Sequence, residues 1–252
     1  LNLINQIQNG KFLPTGCSDG PNILNFYRTD SELIYQENLK NQPLDWYYRN
    51  NPISYQINSD GYRSQEFDSI DWANSVIIFG CSNVFGLGLH EKDTLSYRLS
   101  SLIDKPVINM GINGSGMEVA LLNSVILNKH YPSPLAVIQI WSHHLRTSYY
   151  QANEIHHYRL LDKKNWYTKA YYENFIHGET RAIMTQMISQ IIWENKTKYY
   201  EASFFPDTAI LLKIPHIICI DEARDTGPGN VAHPGRNSIK TLAVNIKNML
   251  KL

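Results

Sequence analysis

From Val76 to Gly88 the chain reads Val-Ile-Ile-Phe-Gly-Cys-Ser-Asn-Val-Phe-Gly-Leu-Gly. The apolar run at 76–79 is too short for a helix and suits a fully buried strand. Gly80 lets the backbone leave that strand sharply, and Ser82 follows in a turn that leads toward a helix. Such a turn holds the serine hydroxyl above the C-terminal edge of a sheet, where open α/β folds place their ligands. It is also one way to expose a nucleophilic serine. The same residues equally suit a tight turn whose serine only caps backbone groups. Two other glycine motifs do not fit. A P-loop has four residues between its glycines and then Gly-Lys-Ser/Thr, whereas here Gly86 is followed by Leu87. A Gly-x-Ser-x-Gly elbow would need a glycine where Val84 stands.

Around this segment, strands alternate with helices. A strand at 75–80 leads to a helix near 94–103, with Asp93 as its expected N-cap and Leu95, Leu99 and Leu102 on its buried face. Pro106 to Asn109 predicts a second strand. A glycine-rich turn leads from it to a helix near 117–130, with Val119, Leu122, Val125 and Ile126 on one side. Leu135 to Trp141 predicts a third strand and His216 to Asp221 a fourth, and a closing helix begins at about 237. This alternation implies a mainly parallel sheet with helices on both faces.

Two stretches depart from the pattern. Residues 1–70 are polar and broken by Gly10, Pro14, Gly16, Gly20, Pro21, Pro43 and Pro52, and read as an irregular N-terminal wrap. Within them, Trp46 to Tyr48 and Ile53 to Ile57 look strand-like. Residues 142–205 read as an insertion into the 71–252 α/β domain. Its first half carries Tyr149, Tyr150, Tyr158, Trp166, Tyr167, Tyr171 and Tyr172. These suit either ordinary packing or a roof that grips a sugar, since tyrosine joins an apolar face to a polar tip. Its second half predicts a helix from about 179 to 199, with Ile183, Met184, Met187, Ile188, Ile191 and Ile192 facing the core.

Composition narrows the partners. The 23 basic and 23 acidic residues balance, which gives no reason to expect a nucleic acid or an anionic membrane. No apolar run approaches the ~20 residues of a membrane span. The first residues lack the blocks of a signal peptide. Three isolated cysteines, Cys17, Cys81 and Cys219, favour a reducing compartment or a virion-like setting over secretion. A cytoplasmic or otherwise soluble protein is the resulting expectation. The pairs His143-His144 and His156-His157 raise the question of a metal. Neighbours on a strand point to opposite faces, and no cysteine or carboxylate stands at ligand spacing, so neither metal nor cofactor is expected.

Three turns share one edge of such a sheet: the one carrying Ser82, the one reading Asn109-Met110-Gly111-Ile112-Asn113-Gly114, and the one before His233-Pro234-Gly235. Their order and spacing over residues 55–252 resemble the SGNH (GDSL-like) hydrolase superfamily. Asn58-Ser59-Asp60-Gly61-Tyr62-Arg63 also looks like a run that precedes the nucleophile strand in some members. The resemblance implies a three-layer α/β/α fold of flavodoxin-like type. It implies Ser82 as nucleophile, within Gly-Cys-Ser where many members have Gly-Asp-Ser. His233 becomes the general base, and the N–H groups of Ser82 and Gly114 become the oxyanion donors. A serine hydroxyl needs such a neighbouring imidazole to accept its proton, and backbone N–H groups stabilise the oxyanion that forms.

Two departures from the family pattern stand out. The third family block, Gly-x-Asn-Asp, is absent where the chain reads Trp141-Ser142-His143-His144-Leu145-Arg146, and loss of such a donor costs ~10²–10³ in rate. Ser142, His143 and Arg146 are the available substitutes, and Asn113 and Asn230 join them as candidates for substrate contact. Asn230 occupies the position of the family's aspartate. Asp225 is therefore the leading carboxylate, with residues 226–232 looping out, and Asp221 is another. A Ser-His dyad without a carboxylate is a further alternative.

The expected function is hydrolysis of an O-acyl ester, such as an acetyl ester on a carbohydrate, through an acyl-enzyme. The alternatives are a catalytically impaired binding module of the same fold and an O-acyltransferase. The expected partner is a small acyl ester or acylated glycan, and the sequence says nothing of oligomeric state.

Overall fold

The computed structural model describes residues 3–13, 21–151, 154–158, 175–227 and 233–250, with only the backbone at 149–151, 154–156, 158 and 175–177. In chain order the elements are α1 (Leu3–Gln8), β1 (Asn22–Leu24), α2 (Glu32–Asn41), β2 (Tyr55–Ile57), β3 (Val76–Gly80), α3 (Ser82–Phe85), α4 (Leu95–Ile103), β4 (Val107–Gly111), α5 (Met117–His130), β5 (Ala136–Trp141), β6 (Thr147–Gln151), β7 (Glu154–Tyr158), α6 (Phe175–Trp193), β8 (Lys198–Ser203), α7 (Pro206–Leu212) and α8 (Arg236–Leu250).

Four strands form the central sheet in the order β4-β3-β5-β8, all parallel. Every residue of β3 is buried, as a strand covered on both faces requires. Alternate residues then face opposite layers. Val76 and Ile78 pack with Leu95, Leu99, Ile239, Leu242 and Ile246, so α4 and α8 cover one face. Ile77 and Phe79 pack with Met110, Val119, Ile126 and Ala182, so α5 and α6 cover the other. The result is a three-layer α/β/α domain. Gly80 lies level with Gly111 and with Ile140, so the turns after β3, β4 and β5 leave along one edge. The chain passes from β3 to one neighbour and returns to the other side. That reversal opens a crevice at the strands' C-terminal ends, beside Ser82.

Several sequence expectations need correction. The fourth strand is Lys198–Ser203, not 216–221. Residue 216 makes only an isolated bridge to Ser203, and Ile218 and Ile220 are left 69% and 64% exposed. Polar bonding explains why the less apolar segment wins. Glu201 of β8 accepts from Trp141 Nε1 at 2.8 Å and from Gln190 Nε2 at 2.7 Å, which ties the strand both to β5 and to α6. Helix α6 accordingly stops at Trp193, short of 199.

The N-cap of α4 is Thr94, whose hydroxyl accepts from the Tyr97 N–H, while Asp93 pairs with Arg98 instead. Tyr47–Arg49 is a 3-10 turn, not a strand. The apolar residues of α6 do not all face the core. Ala182, Thr185, Gln186, Ser189 and Trp193 are buried there, whereas Met184, Met187 and Ile191 are more than half exposed. The closing helix follows its periodicity more closely. In α8, Ile239, Leu242, Ala243, Ile246 and Leu250 are all buried.

Candidate active site

Gly80 is required where β3 turns into α3. A Cβ there would come within 2.4 Å of a Val84 methyl carbon and 2.8 Å of the Ile140 carbonyl oxygen. The chain then reverses tightly, and Gly86 closes α3 in the left-handed region at φ 76°. Ser82, only 4% exposed, begins that short helix. Its Oγ lies 2.9 Å from His233 Nε2. His233 Nδ1 lies 2.6 Å from Asp225 Oδ2, and Asp225 is fully buried. An ionised carboxylate only accepts hydrogen bonds, so Nδ1 carries the ring proton and Nε2 is left to accept from the Ser82 hydroxyl.

A local ladder brings acid and base together although eight positions separate them. Glu222 and Pro234 form an antiparallel bridge. The Ala223 N–H donates to the His233 carbonyl at 2.9 Å and the Gly235 N–H donates to the Asp221 carbonyl at 2.8 Å. Asp225 thus folds back over His233. Gly88 makes room, since a Cβ there would sit 2.7 Å from Asp225 Oδ1. Asp221 is engaged elsewhere: its carboxylate accepts from the N–H groups of Asn237 and Ser238 at 2.9 and 2.8 Å, at the start of α8. Asn230 lies outside the described residues.

The N-terminal segment reaches into this lattice, which sequence reasoning missed. Thr29 Oγ1 donates to Asp225 Oδ2 at 2.8 Å. The Arg224 guanidinium pairs with buried Asp30 through Nε and Nη2 at 2.9 and 2.7 Å. Asn38 Nδ2 donates to the carbonyls of Arg224 and Thr226 at 2.9 and 2.7 Å. Tyr55 donates to Asp30 and accepts the Gly88 N–H at 2.8 Å. Burial, and then the neighbouring Asp30 charge, push the Tyr55 phenol well above its usual range, so it remains a donor. No motif announces Thr29, Asp30 or Asn38.

The run from Asn58 to Arg63 has a structural purpose as well. Asn58 Oδ1 accepts from the Tyr62 N–H at 2.8 Å around Gly61, whose φ is 84°. The turn sends Arg63 inward, where it donates to the carbonyls of Gly86 at 2.6 Å and Leu89 at 3.0 Å. This buried guanidinium pins the loop that follows α3.

Gly114 sits at φ 80°, in the turn after β4, with Asn113 buried beside it. Among the described residues, neither the Gly114 nor the Ser82 N–H is spent on a hydrogen bond. The β6–β7 hairpin lies against this turn. Ser148 Oγ accepts the Gly116 N–H at 2.8 Å and bonds His157 Nδ1 at 2.7 Å.

The turn after β5 is held by α6 and α7: Arg181 Nη2 donates to the His144 carbonyl at 2.7 Å, and Thr208 Oγ1 accepts the His144 N–H at 2.9 Å. His143 stacks on His144 and meets the Phe205 ring edge-on, with centroids 5.4 Å apart. The Arg146 guanidinium also lies over Phe205, at 5.7 Å. His144 Nδ1 lies 3.2 Å from Thr208 Oγ1 of α7. Among the described residues, none of these groups is bonded to Ser82, Gly114 or His233. Ser142 Oγ is buried without a hydrogen-bond partner among them. Burial, and then the charges of His144 and Arg146, lower the His143 pKa to about 4. The aromatic run from 149 to 172 lies outside the described side chains.

Among the described residues there is no cluster of three metal-ligating side chains, and no helix is long and apolar enough to cross a membrane.

No protein-family model matches the chain, and no curated protein sequence matches it. Solved structures do. The acetyl xylan esterase Est2A from the rumen bacterium Butyrivibrio proteoclasticus matches 72% of this chain and 66% of its own length, at 9% identity and a TM-score of 0.43. A carbohydrate esterase family 2 enzyme with a carbohydrate binding domain, from Corynascus thermopiles (Myceliophthora fergusii), matches 71% of this chain and 67% of its own, at 11% identity and 0.39. AlinE4, an SGNH-hydrolase family esterase, matches 73% and 97% respectively, at 13% identity and 0.37. This chain therefore spans about two thirds of the length of Est2A. At such identities and scores the likeness decides nothing about the chemistry of the site. That question rests on Ser82, His233 and Asp225 themselves.

Proposed function

We propose that this chain is a serine ester hydrolase of the SGNH type. The observation that carries the reading is the unbroken relay from Ser82 Oγ through both nitrogens of His233 to the buried Asp225, at 2.9 and 2.6 Å. Both lengths fall in the range expected of a general base beside its nucleophile.

Ser82 Oγ attacks the acyl carbon while its proton passes to His233 Nε2. Asp225 keeps the ring in the required tautomer and stabilises the imidazolium. The N–H groups of Ser82 and Gly114 receive the oxyanion. Collapse of the tetrahedral adduct breaks the ester C–O bond, and His233 returns its proton to the leaving alcohol. Water then attacks the acyl-enzyme with His233 again as base, releasing the acid and free Ser82.

The substrate we assign is a small O-acyl ester, such as acetate, on a carbohydrate. The tyrosine-rich stretch and the family resemblance support this choice. The asparagine that the family pattern would place after β5 is absent, and losing such a donor costs ~10²–10³ in rate. This same gap favours the second reading, a binding module whose site has lost most of its activity.

Fluorophosphonate labelling followed by peptide mass spectrometry tests the nucleophile. The expected result is a single adduct on Ser82 that vanishes in His233→Ala. An unlabelled Ser82 in folded protein contradicts hydrolysis and favours the binding module.

A further inference from the structure

The turn that carries Gly114 is held at both ends. Ahead of it, the Ile112 N–H donates to the Gly80 carbonyl at 2.9 Å, at the end of β3 and two residues before Ser82. The Ser115 N–H then closes a four-residue turn onto the Ile112 carbonyl at 3.2 Å, with Gly114 at its third position and a φ of 80°. Behind it, the Gly116 N–H donates to Ser148 Oγ at 2.8 Å. The first anchor belongs to the central sheet. The second comes from the β6–β7 hairpin, which is a separate sheet.

The hairpin anchor is itself braced. Ser148 and His157 stand directly opposite each other, so their side chains share a face, and Ser148 Oγ lies 2.7 Å from His157 Nδ1. The Ser148 N–H and Thr147 Oγ1 both donate to Glu118 Oε1 in the first turn of α5, the hydroxyl at 3.2 Å. Arg181 of α6 pairs with that carboxylate and donates to the His144 and Arg146 carbonyls at the root of the hairpin, at 2.7 and 3.0 Å. Gly116 permits this close approach, since a Cβ there would sit 2.6 Å from Glu118 Oε1 and 2.9 Å from the Arg146 carbonyl oxygen. A Cβ on Gly114 would meet His157 Cβ at 3.7 Å, so the hairpin borders the turn directly.

We propose that Ser148 is a positioning residue for ester hydrolysis: by accepting the Gly116 N–H it holds the 114–116 backbone so that the Gly114 N–H meets the oxyanion. The inference rests on the esterase reading above, in which Gly114 is a donor. Ser148 touches no reacting atom and acts through the backbone. A preorganised donor stabilises developing charge because it need not reorient as the charge appears. A shift of about 1 Å in such a group can cost ~10²-fold. Placement matters more here because the family's asparagine is absent after β5, where the chain reads Ser142-His143-His144.

Two measurements on the full chain test this: turnover of an activated acetate ester, and inhibition by a short-chain trifluoromethyl ketone. Ser82 Oγ adds to the ketone carbon, its proton passes to His233 Nε2, and the carbonyl oxygen becomes an oxyanion with no group leaving. Ser148→Ala removes the acceptor. Its kcat should fall by about 10–30-fold with KM unchanged, and the inhibition constant of the ketone should rise by a similar factor. Partial unfolding would lower the active fraction but leave that inhibition constant unmoved. Ser148→Thr keeps the hydroxyl and should stay within about threefold of wild type on both measures. The positioning role is overturned by Ser148→Ala within about twofold of an active wild type, by a kcat loss with an unchanged inhibition constant, or by Ser148→Thr as impaired as Ser148→Ala. A folded wild type that neither hydrolyses the ester nor binds the ketone contradicts the esterase reading itself, and this inference falls with it.

Discussion

The loop carrying Asp225 and the turn after β5 both border the crevice at the end of the sheet, yet they are held very differently. Asp225 and its neighbour Arg224 accept bonds from Thr29 and Asn38, Arg224 donates to Asp30, and a ladder joins them to His233. The turn at 142–146 is tied instead to α6 and α7: Arg181 Nη2 donates to the His144 and Arg146 carbonyls at 2.7 and 3.0 Å, and Thr208 Oγ1 accepts the His144 N–H at 2.9 Å. A group that must hold a proton-transfer geometry gains from a crowded, low-dielectric network. Within that turn Ser142 Oγ and Arg146 Nη1 are buried with no hydrogen-bond partner among the described residues, a cost of about 1–3 kcal/mol each. The contrast makes the Asp225 side the preorganised border of the crevice, tied to the N-terminal segment, and the 142–146 turn the border tied to α6 and α7.

Asp225→Asn strikes the preorganised half hardest. It leaves the packing intact but takes away the acceptor that fixes the His233 tautomer, and kcat should fall by about 10⁴. A loss below tenfold, measured with an activated acetate ester, would mean that the ordered lattice serves the fold alone. Thr29→Val is milder, because Asp225 keeps the His233 bond. A loss of about fivefold in kcat with KM unchanged is expected, the size of one hydrogen bond. No change would remove the N-terminal segment from the site.

The turn side predicts effects on stability instead. His143 has a native pKa of about 4 against an ordinary 6.5. As pH falls through that interval, the unfolded chain takes up a proton that the native turn refuses, so the contribution is full above 6.5 and lost toward about 4. His143→Asn should therefore flatten the decline in urea midpoint between pH 7 and pH 5, and an unchanged slope would refute the burial argument. Ser142→Ala should be the smallest change of all. Removing an unsatisfied hydroxyl should leave activity within about twofold and the melting temperature equal or slightly higher. A hundredfold loss of activity would instead make Ser142 the missing oxyanion donor.

Local signals account for what could be read from the sequence. β3 announced itself because a strand covered on both faces is continuously apolar, and its terminal glycine marked the turn with Ser82. Ser82 is marked by its turn, whereas His233 and Asp225 are nominated only through the resemblance to the SGNH superfamily, which leaves Asp221 and a carboxylate-free dyad open beside Asp225. Thr29 and Asn38 could not, since a polar residue 196 positions away from its partner leaves no pattern. The strand β8 was hidden for the converse reason. Its Glu201 is satisfied only in three dimensions, while the more apolar 216–221 segment looks like a core strand and lies largely exposed. Helix α6 misled in the same way: periodicity located its two faces, but hydrogen bonds to Glu201 and Leu212 decided which one turned inward.

The decisive experiment compares hydrolysis of a short-chain activated acetate ester by the wild-type chain and by Ser82→Ala. Wild-type turnover that drops by about 10⁴ or more in the variant is the expected result. Equal rates in the two proteins, or no turnover by folded wild type, would contradict a working Ser82–His233–Asp225 relay.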